Sequence, residues 1–155
     1  MKKLMMTTLA LLSASVFAAP KADVKPQKQA KQPTVVLNVI DVSGKAPKLI
    51  KGTKISRSQK QQLCWHSTNV PLTGRMRVAE AFYAPAPTNF ASQGMSVRAS
   101  EDKKEFLIVG DIIPDNKEHL SRCWRFDNKD PIGKYKLDVQ IGDIVFKGLS
   151  FEITK

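Results

Sequence analysis

At 155 residues, 25 of them Lys or Arg and 14 Asp or Glu, the chain has length for one hydrophobic core and a formal charge of +11 at pH 7. The excess is uneven: residues 20–100 hold 13 basic and 3 acidic side chains, whereas residues 101–155 hold 10 and 11. That asymmetry points to a surface that meets something anionic. Beyond the N-terminal run, no stretch is apolar for long enough to exclude water across a bilayer.

Met1-Lys2-Lys3, an apolar run from Leu4 to Phe17 and the small residues around Ala18 form the pattern of a cleavable export signal over 1–18. No cysteine lies near the cut, which excludes a lipoprotein anchor. Residues 19–33 are built from Lys, Gln, Ala and Pro and cannot bury enough surface to fold, so a flexible linker is expected there. The folded domain is expected over 34–155, in the periplasm or the medium. There Cys64 and Cys123, the only cysteines, form a disulfide. Closing that 59-residue separation stabilises the fold by about 4 kcal/mol on the chain-entropy model.

The first strand is expected over 34–42, rich in β-branched residues and ended by Ser43-Gly44. Lys45, Lys48, Lys51, Lys54, Arg57 and Lys60 then recur every third residue. That period sets all six along one edge of an irregular segment, a basic ridge, with Leu49, Ile50 and Ile55 turned inward. The ridge is a candidate binding site for a line of phosphates or carboxylates, with a solvated loop as the bland alternative. Aromatic residues are too scarce along it for single-strand stacking, so nucleic acid is not an expected partner.

Residues 62–68 form the first Cys-Trp strand, with Leu63, Trp65 and Ser67 on one face and Cys64 and His66 on the other. A strand follows over 74–82, with Met76, Val78 and Phe82 facing one way and Arg75, Arg77 and Ala79 the other. Tyr83, Pro85, Pro87 and Phe90 then leave the sheet as a proline-stiffened loop, aromatic at both ends, and a second candidate binding element. Short strands are expected over 95–99 and 105–113, the latter with Gly110 as a bulge candidate. Pro114-Asp115-Asn116 turns the chain into the second Cys-Trp strand, 120–126, where Trp124 shares a face with Arg122 and Phe126. Tyr135, Leu137, Val139 and Ile141 alternate with polar residues, Gly142-Asp143 forms a two-residue hairpin loop of the II′ kind, and Gly148 marks a bulge in the return strand.

About seven or eight short strands with no helical period make an all-β, antiparallel β-sandwich with one disulfide. The tail from Cys123-Trp124 through Phe126-Asp127, Pro131-Ile132-Gly133 and Tyr135 to Phe151-Glu152-Ile153 resembles the closing strands of small immunoglobulin-like domains of bacterial envelope proteins. The resemblance implies a fold and no activity. It departs from antibody-type domains, whose Trp lies on a strand between the cysteines. Two geometries stay open for the Cys-Trp pairs. Either the indoles are buried and the bridge staples neighbouring strands of one sheet, the favoured form, or the bridge crosses the core and both indoles are displayed.

Catalytic chemistry finds little support. His66 and His119 are the only histidines, the thiols are spoken for, and no calcium-loop, phosphate-loop or nucleophile-elbow motif is present. No enzyme activity, catalytic residue, cofactor or metal is expected. The expected role is a non-catalytic binding module of the envelope for an anionic component or protein partner. The alternatives are an inhibitor or immunity-type protein that plugs an enzyme cleft, or an accessory subunit of a surface assembly.

Overall fold

In the computed structural model, which describes residues 31–114 and 119–155, a four-stranded sheet packs on a six-stranded one. The expected export signal, the linker up to residue 30 and the Asp115-Asn116 turn lie outside the described residues. Ten strands are present among the described residues: β1 (Thr34–Asp41), β2 (Lys48–Ile50), β3 (Lys54–Ser56), β4 (Gln61–Thr68), β5 (Met76–Tyr83), β6 (Ser96–Ala99), β7 (Glu105–Ile112), β8 (Ser121–Trp124), β9 (Gly133–Ile141) and β10 (Ile144–Thr154). The smaller sheet runs β2-β1-β4-β8 and the larger β3-β10-β9-β5-β7-β6. Every pairing is antiparallel except β3 with β10, which is parallel.

The count exceeds the expected seven or eight because β2 and β3 both lie in the segment expected to be irregular. Each has three residues, too short for an alternation to register. Their pairing partners are supplied from elsewhere in the chain, β1 for β2 and β10 for β3. Between them the chain passes from the edge of one sheet to the edge of the other. This crossing corrects the inward placement of Leu49, which is 71% exposed, while Ile55 is fully buried.

Each long strand turns one face to the core. Val35 and Val39 of β1 and Leu63 and Trp65 of β4 meet Val78 and Phe82 of β5, Ile108 of β7, Leu137 and Val139 of β9 and Phe151 of β10. Aromatic rings fill the middle: Phe82 stacks on Phe90 at 4.7 Å between centroids and meets Trp124 edge-on at 5.0 Å. Such offset and edge contacts add to the gain from burial alone.

Glycines decide three local features. Gly142 has φ +57° and Asp143 no positive φ, as the II′ hairpin loop between Ile141 and Ile144 requires. The register of β9 with β10 shifts between Phe146 and Leu149, around Gly148 at φ +75°, so the bulge is present and the apolar parity changes there. Gly110 is different: β5 and β7 pair without interruption from Met76 to Tyr83, so it is no bulge. Its missing side chain makes room for Met95 instead, whose Cγ would lie 2.5 Å from an added Cβ.

Candidate functional site

The two Cys-Trp dipeptides meet across the β4–β8 ladder. Cys64 stands directly opposite Cys123, and the two are joined by a disulfide. Trp65 and Trp124 point the other way and are buried, at 0% and 7% exposure. The favoured geometry is therefore the one the chain adopts: a staple within one sheet, with both indoles in the core. Because the bridge consumes both thiols, His66 beside it has none to activate. Burial, with His119 nearby, holds the His66 imidazole below its ordinary pKa.

Both indoles converge on one carboxylate. Trp65 Nε1 donates to Glu80 Oε1 at 2.7 Å and Trp124 Nε1 donates to the same oxygen at 2.8 Å. Arg122 Nε lies 3.1 Å from Glu80 Oε2 as an ion pair, at an angle that leaves this oxygen without a hydrogen-bond donor. The guanidinium lies 4.6 Å over the Trp124 ring, donates to Ser92 Oγ at 2.6 Å and touches Met95 Sδ. Glu80 is fully buried, and burial pushes its carboxyl above the ordinary glutamate range against the opposing pull of Arg122 and the two indoles. Glu80 was not among the residues singled out from the sequence, although parity along β5 was the signal that could have found it, since it falls on the face of Met76, Val78 and Phe82. No sequence rule showed that two indoles and a guanidinium would meet it there. A carboxylate so enclosed ties the two sheets together and has no route to a ligand.

The basic ridge is distributed over the crossing between the sheets. Lys45, Lys48, Lys51, Lys54 and Lys60 are exposed. Lys48 opens β2 on one sheet and Lys54 opens β3 on the other, so the six do not form one line on a single regular element. Arg57 is half-buried and donates to the Asp130 carbonyl, which commits it to the fold. Lys54 pairs with Glu152 at 3.2 Å, an exposed contact of small energetic weight.

The proline-stiffened loop is braced at both ends. Tyr83 is the last residue of β5 and remains partly exposed, and Pro85 and Pro87 are exposed beyond it. Thr88 is buried, its amide donating to the Lys103 carbonyl at 3.0 Å and its hydroxyl to Asp130 Oδ1 at 3.3 Å. Phe90 packs among Phe82, Phe106 and Trp124.

A further basic surface comes from the C-terminal half, where composition showed no excess charge. Lys134 and Lys136 lie on the outer face of β9, and Lys147 adjoins the Gly148 bulge of β10. With Tyr83 and Asp138 they line an open depression of about 550 Å³. The alternation of β9 told that these lysines face away from the core. It carried no information about which strands flank them. Among the described residues, no three His, Cys, Asp or Glu side chains gather as a metal site.

The fold and its internal staple define the class: a two-sheet β-sandwich closed by a carboxylate shared between two tryptophans. Residues 35–154 match the PM0630 beta sandwich domain family, and the chain belongs to that family. It is 38% identical over 159 residues to the uncharacterized protein PM0630 of Pasteurella multocida strain Pm70, covering the whole of both chains. The family description names a fold and no catalytic activity.

Proposed function

We propose that this sandwich is an exported, non-catalytic binding module of the cell envelope, of immunoglobulin-like type, that recognises an anionic surface or partner through its basic ridge. The observation that carries the reading is the exposure of Lys45, Lys48, Lys51, Lys54 and Lys60 along the segment between β1 and β4 that contains β2, β3 and the crossing between the sheets. Apart from Lys54, none of them forms an ion pair among the described residues. Ammonium groups left to solvent on a protein of formal charge +11 attract polyanions, and salt screens that attraction. The disulfide supports an oxidising compartment, and the Met1–Ala18 pattern supports the periplasm or the medium as that compartment.

The test is retention on immobilised lipopolysaccharide in rising salt, for the wild type and for a variant with these five lysines changed to glutamine. The expected result is salt-sensitive retention that the variant loses. Retention that is indifferent to both salt and variant overturns the reading. Mass spectrometry of the protein recovered from the periplasm checks export: an N-terminus at Ala19 or Pro20 is expected, and an intact Met1 contradicts it.

The braced loop favours a second reading, an inhibitor-type protein. Thr88 and Phe90 hold Pro85 and Pro87 exposed on a segment already tied down, and an ordered loop loses little entropy on binding. Capture of a hydrolase that is lost on Pro85→Gly/Pro87→Gly substitution, with the five lysines intact, favours this reading over the ridge.

A further inference from the structure

Two shallow depressions adjoin on the outer face of the six-stranded sheet and share Lys134. One is lined by Lys134, Lys136, Lys147, Tyr83 and Asp138, the other by Lys54, Lys134, Ser150 and Glu152. Together they run from β3 across β10 and β9 to the end of β5, three inter-strand steps or roughly 14 Å. The register explains the cluster. Lys136 pairs with Tyr83 on one side and Ser150 on the other, and Lys134 pairs with Glu152. Lys147 arrives from the bulge, where the Gly148 amide donates to Asp138 Oδ1 at 2.7 Å. Among the described residues, Lys134, Lys136 and Lys147 are in no salt bridge.

The chemistry of the face is mixed in a specific way. Separate ammonium groups suit charges spaced along a chain better than one anion held by a fork. Tyr83 is 37% exposed and presents an aromatic surface with a polar tip, a platform for the apolar face of a sugar ring. Burial, the nearby Asp138 and Glu105 charges and a hydrogen bond to Asp138 raise the pKa of its hydroxyl, which fixes the phenol beside that carboxylate and leaves the ring face as its contact surface. Asp138 already accepts from the Gly148 amide and pairs with the Tyr83 hydroxyl, and its remaining lone pairs line the depression as acceptors that a sugar hydroxyl would use and a bare polyanion would not.

We infer that this face is a binding site for an anionic glycan strand, a saccharide bearing carboxylate or phosphate groups, with Tyr83 under a sugar ring and Lys134, Lys136 and Lys147 facing the charges. The inference rests on the reading of the protein as a binder of anionic envelope material. It adds to the general attraction of the ridge a glycan-specific contact on the sheet face.

The experiment measures affinity for oligogalacturonate, for deacylated phosphorylated lipopolysaccharide core and for inorganic polyphosphate. It uses the wild type and the variants K134Q/K136Q/K147Q, Y83A and K45Q/K48Q/K51Q/K60Q, each checked by circular dichroism. The face triple variant is expected to weaken binding of at least one glycan about tenfold, the effect of removing roughly 1.4 kcal/mol of charge contact. Y83A is expected to weaken the same glycan about fivefold and to leave polyphosphate unchanged, because stacking needs a ring and not a charge. The two glycans tell carboxylate from phosphate, and binding of either supports the inference. Binding of neither glycan overturns it, as does a Y83A or face variant that binds both as the wild type does. If only the ridge variant loses glycan, the face inference fails and the ridge reading stands. If no variant changes binding to any probe, both fail.

Discussion

Glu80 carries more of this fold than any other charged side chain in the core. Its Oε1 accepts from both tryptophans, one on β4 and one on β8, so a residue of the larger sheet holds two strands of the smaller one. Glu80→Ala strands two buried indole N–H groups and leaves Arg122 without its counter-charge. The expected loss is about 3–5 kcal/mol, read from the denaturation midpoint. Glu80→Gln keeps an oxygen for the indoles and costs less. The pH dependence has a definite sign. Burial raises the Glu80 carboxyl, so the native state holds its proton more tightly than the unfolded state does. The stability from this group is complete below the ordinary glutamate range and is lost as pH rises through the raised value. The advantage of the wild type over Glu80→Gln is therefore expected to be larger at about pH 4 than at about pH 8. A difference that stays constant between the two in urea titrations contradicts this. Trp65 and Trp124 are the only tryptophans, so fluorescence reports on this centre alone.

Among the elements, β8 is a short edge strand held from several sides. It has four residues, lies at the edge of its sheet and pairs with β4 alone. Three things hold it: the bridge on its outer side, Trp124 on its inner side, and Leu120 just before it, whose amide and carbonyl both bond to Ser67. In the double variant Cys64→Ala/Cys123→Ala the unfolded chain regains the freedom of the closed loop, a loss of about 4 kcal/mol on the entropy model. Hydrogen exchange is expected to speed up over Ser121–Trp124 well before β9, which lies inside the larger sheet. Equal acceleration in both strands refutes a local role for the bridge. The expected strand ends were off by a residue or two, as at β8, because frayed ends depend on the partner strand. The bulge at Gly148 was legible because the apolar parity changes there. Gly110 misled, because an isolated glycine in a strand signals either a bulge or a close approach, and only Met95 arriving from the preceding loop distinguishes them.

For the whole molecule, the pairings reach far along the chain, β1 to β4, β4 to β8 and β3 to β10, and the indole–carboxylate centre joins the two sheets. The sheets are therefore expected to unfold together. Urea midpoints from tryptophan fluorescence and from far-ultraviolet circular dichroism should coincide, and separated midpoints would show that one sheet survives the other. From the sequence alone came the sandwich class, most of its strands, the disulfide and the two faces of strands such as β4, β5 and β9, because alternation, turn residues and cysteine count act locally and need no partner. The tertiary structure decided the rest. It added β2 and β3, which exist only through their neighbours, and it turned Arg57 from ridge to scaffold. It also gathered Lys134, Lys136 and Lys147 around Tyr83, on strands that are adjacent in the sheet and distant in the chain. Side-chain periodicity tells which way a residue faces. Which residues share that face is set by strand order, and strand order is decided by packing.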